Sequence, residues 1–361
     1  THAGTAAPFN FNGLVRHAYL RAAAYQGDVA LNLTPKGERA RTSHEIALDI
    51  RKRIADITVP AGTSLKVVEP PPGPPVMATL LAEIYGPDAE SRRKVAAKVE
   101  AAFRSVPFIV DIDNSYGVQA PRKRLVISTD DAEFFHVEDT DVFDTIAILN
   151  NGKTIGYSHR GQGRHPIPIR LERAKGEKTL DEAFLTTPIP TNVLPGDKGV
   201  VELGDVVRVS DEKTSLPIFR HNGRAAEMVT AELAGSFEAP LYGMLAVQQA
   251  IDAQDWTGLQ KPVIALHGQP DSDRQSTLLW DGEWEVTWVT FRDMGAAFMI
   301  ALVGIYILVV AQFGSFKLPL VILTPVPLTF IGILGGHWLF GAPFSATSMI
   351  GFIALAGIIV R

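Results

Sequence analysis

From Met294 to Arg361 the chain carries two charged side chains, Lys317 and Arg361, and neither Asp nor Glu. Stretches this apolar must be covered by protein or by lipid, which narrows the possible folds more than any other feature. Three runs lie inside it: Gly295–Phe313, Leu318–Phe340 and Ala346–Val360. At about 1.5 Å per residue, the first two are long enough to cross a hydrocarbon layer about 30 Å thick. The third is short by itself and gains the length only if its helix continues past Arg361, so 346–361 reads as a truncated span. The link GSFK allows only a tight antiparallel hairpin, and Lys317 within it points to the cytoplasmic side. Residues 1–293 are then expected outside the cytoplasm. Pro325 and Pro327 would break a water-exposed helix but are tolerated in a membrane bundle. Gly332, Gly335, Gly336, Gly351 and Gly357 either permit close helix approach or are ordinary membrane-helix composition.

Arg361 closes the last apolar run. A guanidinium inside a bilayer is costly, so it usually has a partner or a task. It either snorkels to the headgroups or lies part-way through the membrane. The short stretch before it favours the second reading.

The rest of the chain is mildly acidic. The formal net charge is −5, and the two positive charges of the apolar third leave −7 for residues 1–293. With no basic stripe and a pI of about 6.0, nucleic acid is not an expected partner. There is no cysteine, which excludes a disulfide framework, a thiolate metal site and a thiol nucleophile. The opening THAGTAAPFNFNG has neither an initiator methionine nor a signal-peptide pattern and reads as internal to a longer chain.

Strand-like and helix-like stretches alternate through residues 1–290. Residues 27–35 and 64–70 read as strands around a helix at 42–57, capped by Thr42 or Ser43, with Ile46, Ile50, Ile54 and Ile57 on one face. PPPGPP at 70–75 is a stiff joint. The order returns with a strand at 76–86, an amphipathic helix at 87–106 with Val95, Val99 and Phe103 inward, and a strand at 108–116. A third cycle is a strand at 123–130 and a helix at 137–152 closed by Gly152. A fourth pair follows at 225–235 and 239–252. The fold class is therefore α+β, with ferredoxin-like split βαβ modules. Residues 153–216, rich in Gly, Pro and Thr, read as a small β-rich insertion into a discontinuous host module.

Several candidate sites are weak. His159 and His165 flank RGQGR but lack a third metal ligand. Met77, Met228 and Met244 could hold a soft ion such as Cu(I), but spread like this they read as gap-filling core residues. Asp111, Asp113, Asp130 and Asp131 sit where strand ends and turns explain them. GQGR lacks the lysine of a phosphate loop, and no nucleophile–base pair can be argued, so neither an enzyme nor a bound cofactor or metal is expected.

The run FGSFKLPLVILTPVPLTFIGILGGHWLFGAPFSATSMIGFIALAGIIVR resembles the eighth, ninth and first part of the tenth transmembrane helices of resistance-nodulation-division (RND) efflux transporters of the AcrB type. VVELGDVVRVSDEKTSLPIFRHNGRAAEMVTAEL is similar to the segment that returns from the docking insertion to the pore domain in that family. The resemblance implies a homotrimeric, proton-driven antiporter in a bacterial inner membrane. It would export amphiphilic small molecules through a periplasmic adaptor (membrane fusion) protein and an outer-membrane channel protein. It further implies a first pore subdomain at 1–75 and a second at 76–152 plus 217–270. A docking insertion at 153–216, a link at 271–293 and membrane helices at 294–361 would complete the chain. Substrate would pass through the cleft between the pore subdomains, near Pro70, Pro74 and Met77. Arg361 falls on a basic position of the tenth helix that pairs with two aspartates of the fourth. Many members have lysine there; arginine does not deprotonate under working conditions and would act as a fixed counter-charge. Two alternatives stay open: a Cu/Ag-type heavy-metal exporter of the same superfamily, and a non-transporting protein-translocation accessory. In 261–294, Trp280, Trp284 and Trp288 recur every four residues, so one face either lies along the membrane surface or packs on the pore domain.

Overall fold

The computed structural model describes residues 1–5, 13–14, 21, 23, 25–60, 62–69, 76–161, 163–174, 179–192, 199–234, 239–341, 344 and 346–360. Pro70, Pro74 and Arg361 lie outside these residues. The chain divides into two compact units, one of Thr1–Val118 with Pro217–Arg361 and the other of Gln119–Leu216.

The chain opens with a two-residue ladder, β1 (His2–Ala3) against β2 (Gly27–Asp28). Helix α1 (Ser43–Ile54) follows. Thr42 caps it reciprocally: its Oγ1 accepts from the Glu45 amide at 3.2 Å, and Glu45 Oε2 accepts from the Thr42 amide at 2.7 Å. Ile46, Ile50 and Ile54 are half-buried, and Ile57 lies beyond the helix and is exposed. The strands expected at 27–35 and 64–70 do not form, apart from the two residues of β2. Their sequences suit a strand, but among the described residues no neighbour takes up their backbone groups, and a strand needs that ladder.

Next come β3 (Leu80–Tyr85), α2 (Ala89–Ser105) and β4 (Ile109–Asn114). The chain then enters the second unit. Here β5 (Pro121–Ile127), α3 (Thr129–Phe134), α4 (Asp139–Asn151), β6 (Lys153–Ser158) and β7 (Ile167–Leu171) precede α5 (Glu182–Leu185), β8 (Pro188–Pro190), β9 (Val200–Glu202), α6 (Leu203–Val206) and β10 (Val207–Lys213). The strands pair antiparallel as β5 with β10, β6 with β7 and β8 with β9. Val142, Phe184, Ile189, Leu203 and Val206 form the core of this unit. The sequence suggests an insertion from 153; the compact unit begins at Gln119 because β5 pairs along its full length with β10.

Returning to the first unit, the hairpin β11 (Arg220–His221) and β12 (Arg224–Ala225) leads to β13 (Glu227–Leu233), α7 (Pro240–Ala253), β14 (Val263–Ala265) and β15 (Thr277–Gly282). Five strands form one sheet in the order β14-β15-β3-β13-β4. β3 is antiparallel to both β15 and β13, and β13 separates β3 from β4. Because side chains alternate across the pleat, each strand presents two faces. Leu80, Ala82, Ile84, Val229, Ala231, Leu278 and Trp280 share one face with Val95, Val99 and Phe103 of α2 and Met244, Val247 and Ile251 of α7. The opposite face carries Glu83, Tyr85, Met228, Leu279 and Asp281. Residues 277–282, expected within a link, are thus an interior strand of the sheet.

At Gly282 the strand turns directly into α8 (Glu283–Phe313), a continuous helix of 31 residues. Gly282 has φ 70°, and a Cβ there would lie 2.7 Å from the Ala78 carbonyl, so both conformation and space demand glycine. Then follow α9 (Leu318–Leu323), α10 (Pro325–Phe340) and α11 (Ala346–Val360), with Thr324 keeping helical dihedrals between α9 and α10. Glu283–Phe313 and Leu318–Phe340 are long and apolar enough to cross a membrane. Only 6% and 11% of their most apolar windows are buried, unlike core helices of a soluble domain. Phe298, Val326, Phe352 and Ala356 pack α8, α10 and α11 together, with the Phe330 and Phe352 rings 4.3 Å apart. Of the two readings of the glycines, ordinary membrane-helix composition fits the described residues: a Cβ at Gly332, Gly335, Gly336, Gly351 or Gly357 meets nothing within 4 Å. Aromatic packing fills the described contact instead.

Candidate functional site

The polar face of the sheet brings together groups that are far apart in sequence. Glu83 sits on β3 opposite Leu279 of β15, so Asp281, two residues further on, is its diagonal neighbour on the same face. His221, on the hairpin, places Nδ1 against Glu83 Oε1 and 3.7 Å from Asp281 Oδ2. Glu83 is 1% exposed. Its second oxygen accepts from the Tyr85 hydroxyl at 2.6 Å. The Gln269 amide nitrogen donates to the Tyr85 oxygen at 3.2 Å and to the His221 carbonyl at 2.9 Å. Burial pushes the Asp281 carboxyl above the usual carboxylate range, and the charge of Glu83 adds to the shift. Burial, together with the hydrogen bond to Glu83, also holds the Tyr85 hydroxyl far above its ordinary value. Sequence reasoning missed this cluster. Its available signals were a single acid inside LLAEIY and another inside TLLWDG, each breaking an apolar strand.

The residues singled out from sequence are dispersed. Met228 and Met244 lie on opposite faces of the sheet, since Met228 pairs with Glu83 while Met244 belongs to the helix-side core. Met77 is 37% exposed. No trio of thioethers forms. His159 and His165 are exposed, and neither joins a group of metal ligands among the described residues. Asp111 has φ 55° at an irregularity in the β4–β13 pairing, which turns it toward Arg51 at 3.0 Å. Arg51 also reaches Glu69 at 2.9 Å and so ties α1 to the sheet. Lys66 pairs with Asp113, and Arg208 with Asp131 at 3.2 Å. Asp130 lies in the first turn of α3.

Trp280, Trp284 and Trp288 make contacts with protein. Trp280 is buried in β15 against Phe103, with ring centroids 5.9 Å apart. The Trp284 indole donates to the Leu266 carbonyl at 2.7 Å, and Trp288 stacks on His267 at 5.3 Å. In the membrane region, Gly332, Gly336, His337, Gly351, Phe352 and Leu355 line a cleft of about 300 Å³ between α10 and α11.

A buried α+β module joined without a linker to long, lipid-compatible helices is the arrangement on which the comparisons bear. Residues 2–361 match the family model described as the AcrB/AcrD/AcrF family. The chain belongs to this family of RND permeases. It is similar to the cobalt-zinc-cadmium resistance protein CzcA of Cupriavidus metallidurans, at 25% identity over 296 residues, covering 79% of this chain and 25% of that protein. It is also similar to the multidrug resistance protein MdtC of Yersinia enterocolitica, at 24% identity over 346 residues, covering 93% of this chain and 31% of that protein. Among solved structures, a heavy metal efflux pump shares the fold with a TM-score of 0.67 at 18% identity, covering 91% of this chain and 32% of that one. The chain thus spans a quarter to a third of the length of these relatives. An RND permease is an inner-membrane transporter, which fits the two apolar helices.

Proposed function

We propose that the chain is the porter-and-helix segment of a proton-driven RND efflux permease. The observation that carries this reading is the junction at Gly282. An interior strand of the sheet passes straight into a helix long enough to span the membrane. A shift of that helix would therefore move the sheet, which is what coupling a membrane ion flux to a periplasmic cleft requires. The strand order supports a ferredoxin-like split βαβ reading of the module, since β3–α2–β4 and β13–α7–β15 interleave. In this proposal that module is the second pore subdomain, residues 1–69 belong to the first, and the unit 119–216 is the docking insertion. Arg361 acts as a fixed positive partner for proton-carrying carboxylates on another helix. The complete protein works as a trimer with a periplasmic adaptor and an outer-membrane channel.

The cargo is proposed at the level of class. Amphiphilic small molecules, the sequence expectation, are supported by the alignment with MdtC over 93% of the chain. Heavy-metal cations are the second reading, favoured by CzcA and the solved pump. The Cu/Ag form of that reading loses its ligand set with the dispersal of the methionines. None of the relatives named above is a translocation accessory.

Proteoliposomes carrying the complete protein test the proposal. Export driven by a proton gradient is expected, and Arg361→Ala should abolish it. Undiminished export by the variant would rule out the counter-charge role. Resistance assays with dyes or detergents against zinc and cobalt salts would separate the cargo classes.

A further inference from the structure

We propose that Glu83, His221 and Asp281 form a binding site for a divalent cation of borderline hardness, zinc or a zinc-like ion, at the root of α8. One ligand atom from each residue lies within 4.8 Å of the other two. Ligands bound at about 2.0–2.2 Å sit roughly 3–3.5 Å apart around one ion, so small side-chain shifts complete the arrangement. Two of the three ligands stand on neighbouring strands of one sheet, and the hairpin β11–β12 brings the third.

Charge points the same way. Among the described residues, neither Glu83 nor Asp281 forms an ion pair with Lys or Arg; His221 is the partner of both. Glu285, in the first turn of α8, hydrogen-bonds Asp281 and adds a third carboxyl group. Glu83 is buried, Asp281 half-buried and Glu285 at the exposed edge, so a single imidazole faces an excess of carboxyl groups whose negative charge a cation would offset. Two carboxylate oxygens and one imidazole nitrogen suit zinc or cobalt better than the soft Cu(I) ion. The supporting hydrogen bonds are also in place: Tyr85 holds the other oxygen of Glu83, and Gln269 holds both Tyr85 and the His221 backbone. Such an ion would be resident, tying the hairpin and β3 to the end of β15 where the membrane helix starts. The inference is independent of what the permease exports.

The test is titration of zinc(II) and cobalt(II) chloride into the purified full chain in detergent at neutral pH. Bound metal is measured by elemental analysis after dialysis, and cobalt by its d–d absorption. One zinc per chain is expected, with affinity weakened at least about tenfold in His221→Ala and Glu83→Gln. A His159→Ala/His165→Ala double variant should bind like the wild type. Equal binding by His221→Ala and the wild type, or no zinc retained by the wild type, overturns the site. If the variants do not fold, the wild-type cobalt spectrum decides. A band saturating at one equivalent supports the site, and no band overturns it.

Discussion

The two faces of the five-stranded sheet are buried by different means. On the face toward α2 and α7 the core is apolar, and the buried acid Glu227 is met by Arg93 at 3.1 Å and by the Ser115 hydroxyl at 2.8 Å. On the other face Glu83 is met by His221 and the Tyr85 hydroxyl, and Asp281 by His221 and Glu285. The first face is stabilised by packing and by a permanently charged partner. The second relies on an imidazole and on hydroxyl hydrogen bonds, with neither Lys nor Arg paired to Glu83 or Asp281 among the described residues. Cores built the first way resist changes of pH and salt, whereas the second kind is where a site or a switch can exist.

The largest effect should come from breaking the apolar face. Phe103→Ala removes the ring packed on Trp280 and should cost about 3–5 kcal/mol in denaturant unfolding followed by tryptophan fluorescence. A loss below about 1 kcal/mol would mean that this face is not the core. Next is the junction where both faces end. Gly282→Ala forces a side chain into a positive-φ position against the Ala78 carbonyl and should cost about 2 kcal/mol. The polar face should yield less. Tyr85→Phe deletes the buried hydrogen bond to Glu83 and the one received from Gln269, and should cost about 1–2 kcal/mol.

The smallest effect is the pH dependence that distinguishes the faces. Asp281 has its carboxyl raised by burial above the unfolded value of about 3.9. Between those two values the folded chain binds more protons than the unfolded chain. Its contribution to stability is therefore present in acid and is lost as pH rises through the raised value. Asp281→Asn should flatten that slope in melting temperatures recorded across the acidic range. An unchanged slope would assign it to another group.

These contrasts also show what a one-dimensional reading reaches. Local signals were legible. Thr42 capped its helix, the Val95, Val99 and Phe103 stripe turned inward, and the apolar runs became helices. Pairing at long range was not. β5 and β10 find each other across some eighty residues, which moves the start of the second unit to Gln119. The spacing of Trp280, Trp284 and Trp288 mimics one helical face, yet the first is on a strand and only the other two are on α8. Glu83, His221 and Asp281 are neighbours only because two strands and a hairpin converge. Pro70 and Pro74, expected beside a substrate path, and Arg361 lie outside the described residues, and Met77 is 37% exposed.

The proposed coupling of membrane helix to sheet rests on the unbroken passage from β15 into α8. Its most direct test is proton-driven export by the complete protein in proteoliposomes after a Gly-Gly-Ser insertion between Gly282 and Glu283. Export should fall at least tenfold in a variant that still inserts and keeps its near-UV circular dichroism. Export at the wild-type rate through the slackened junction would contradict mechanical coupling of the helix to the sheet.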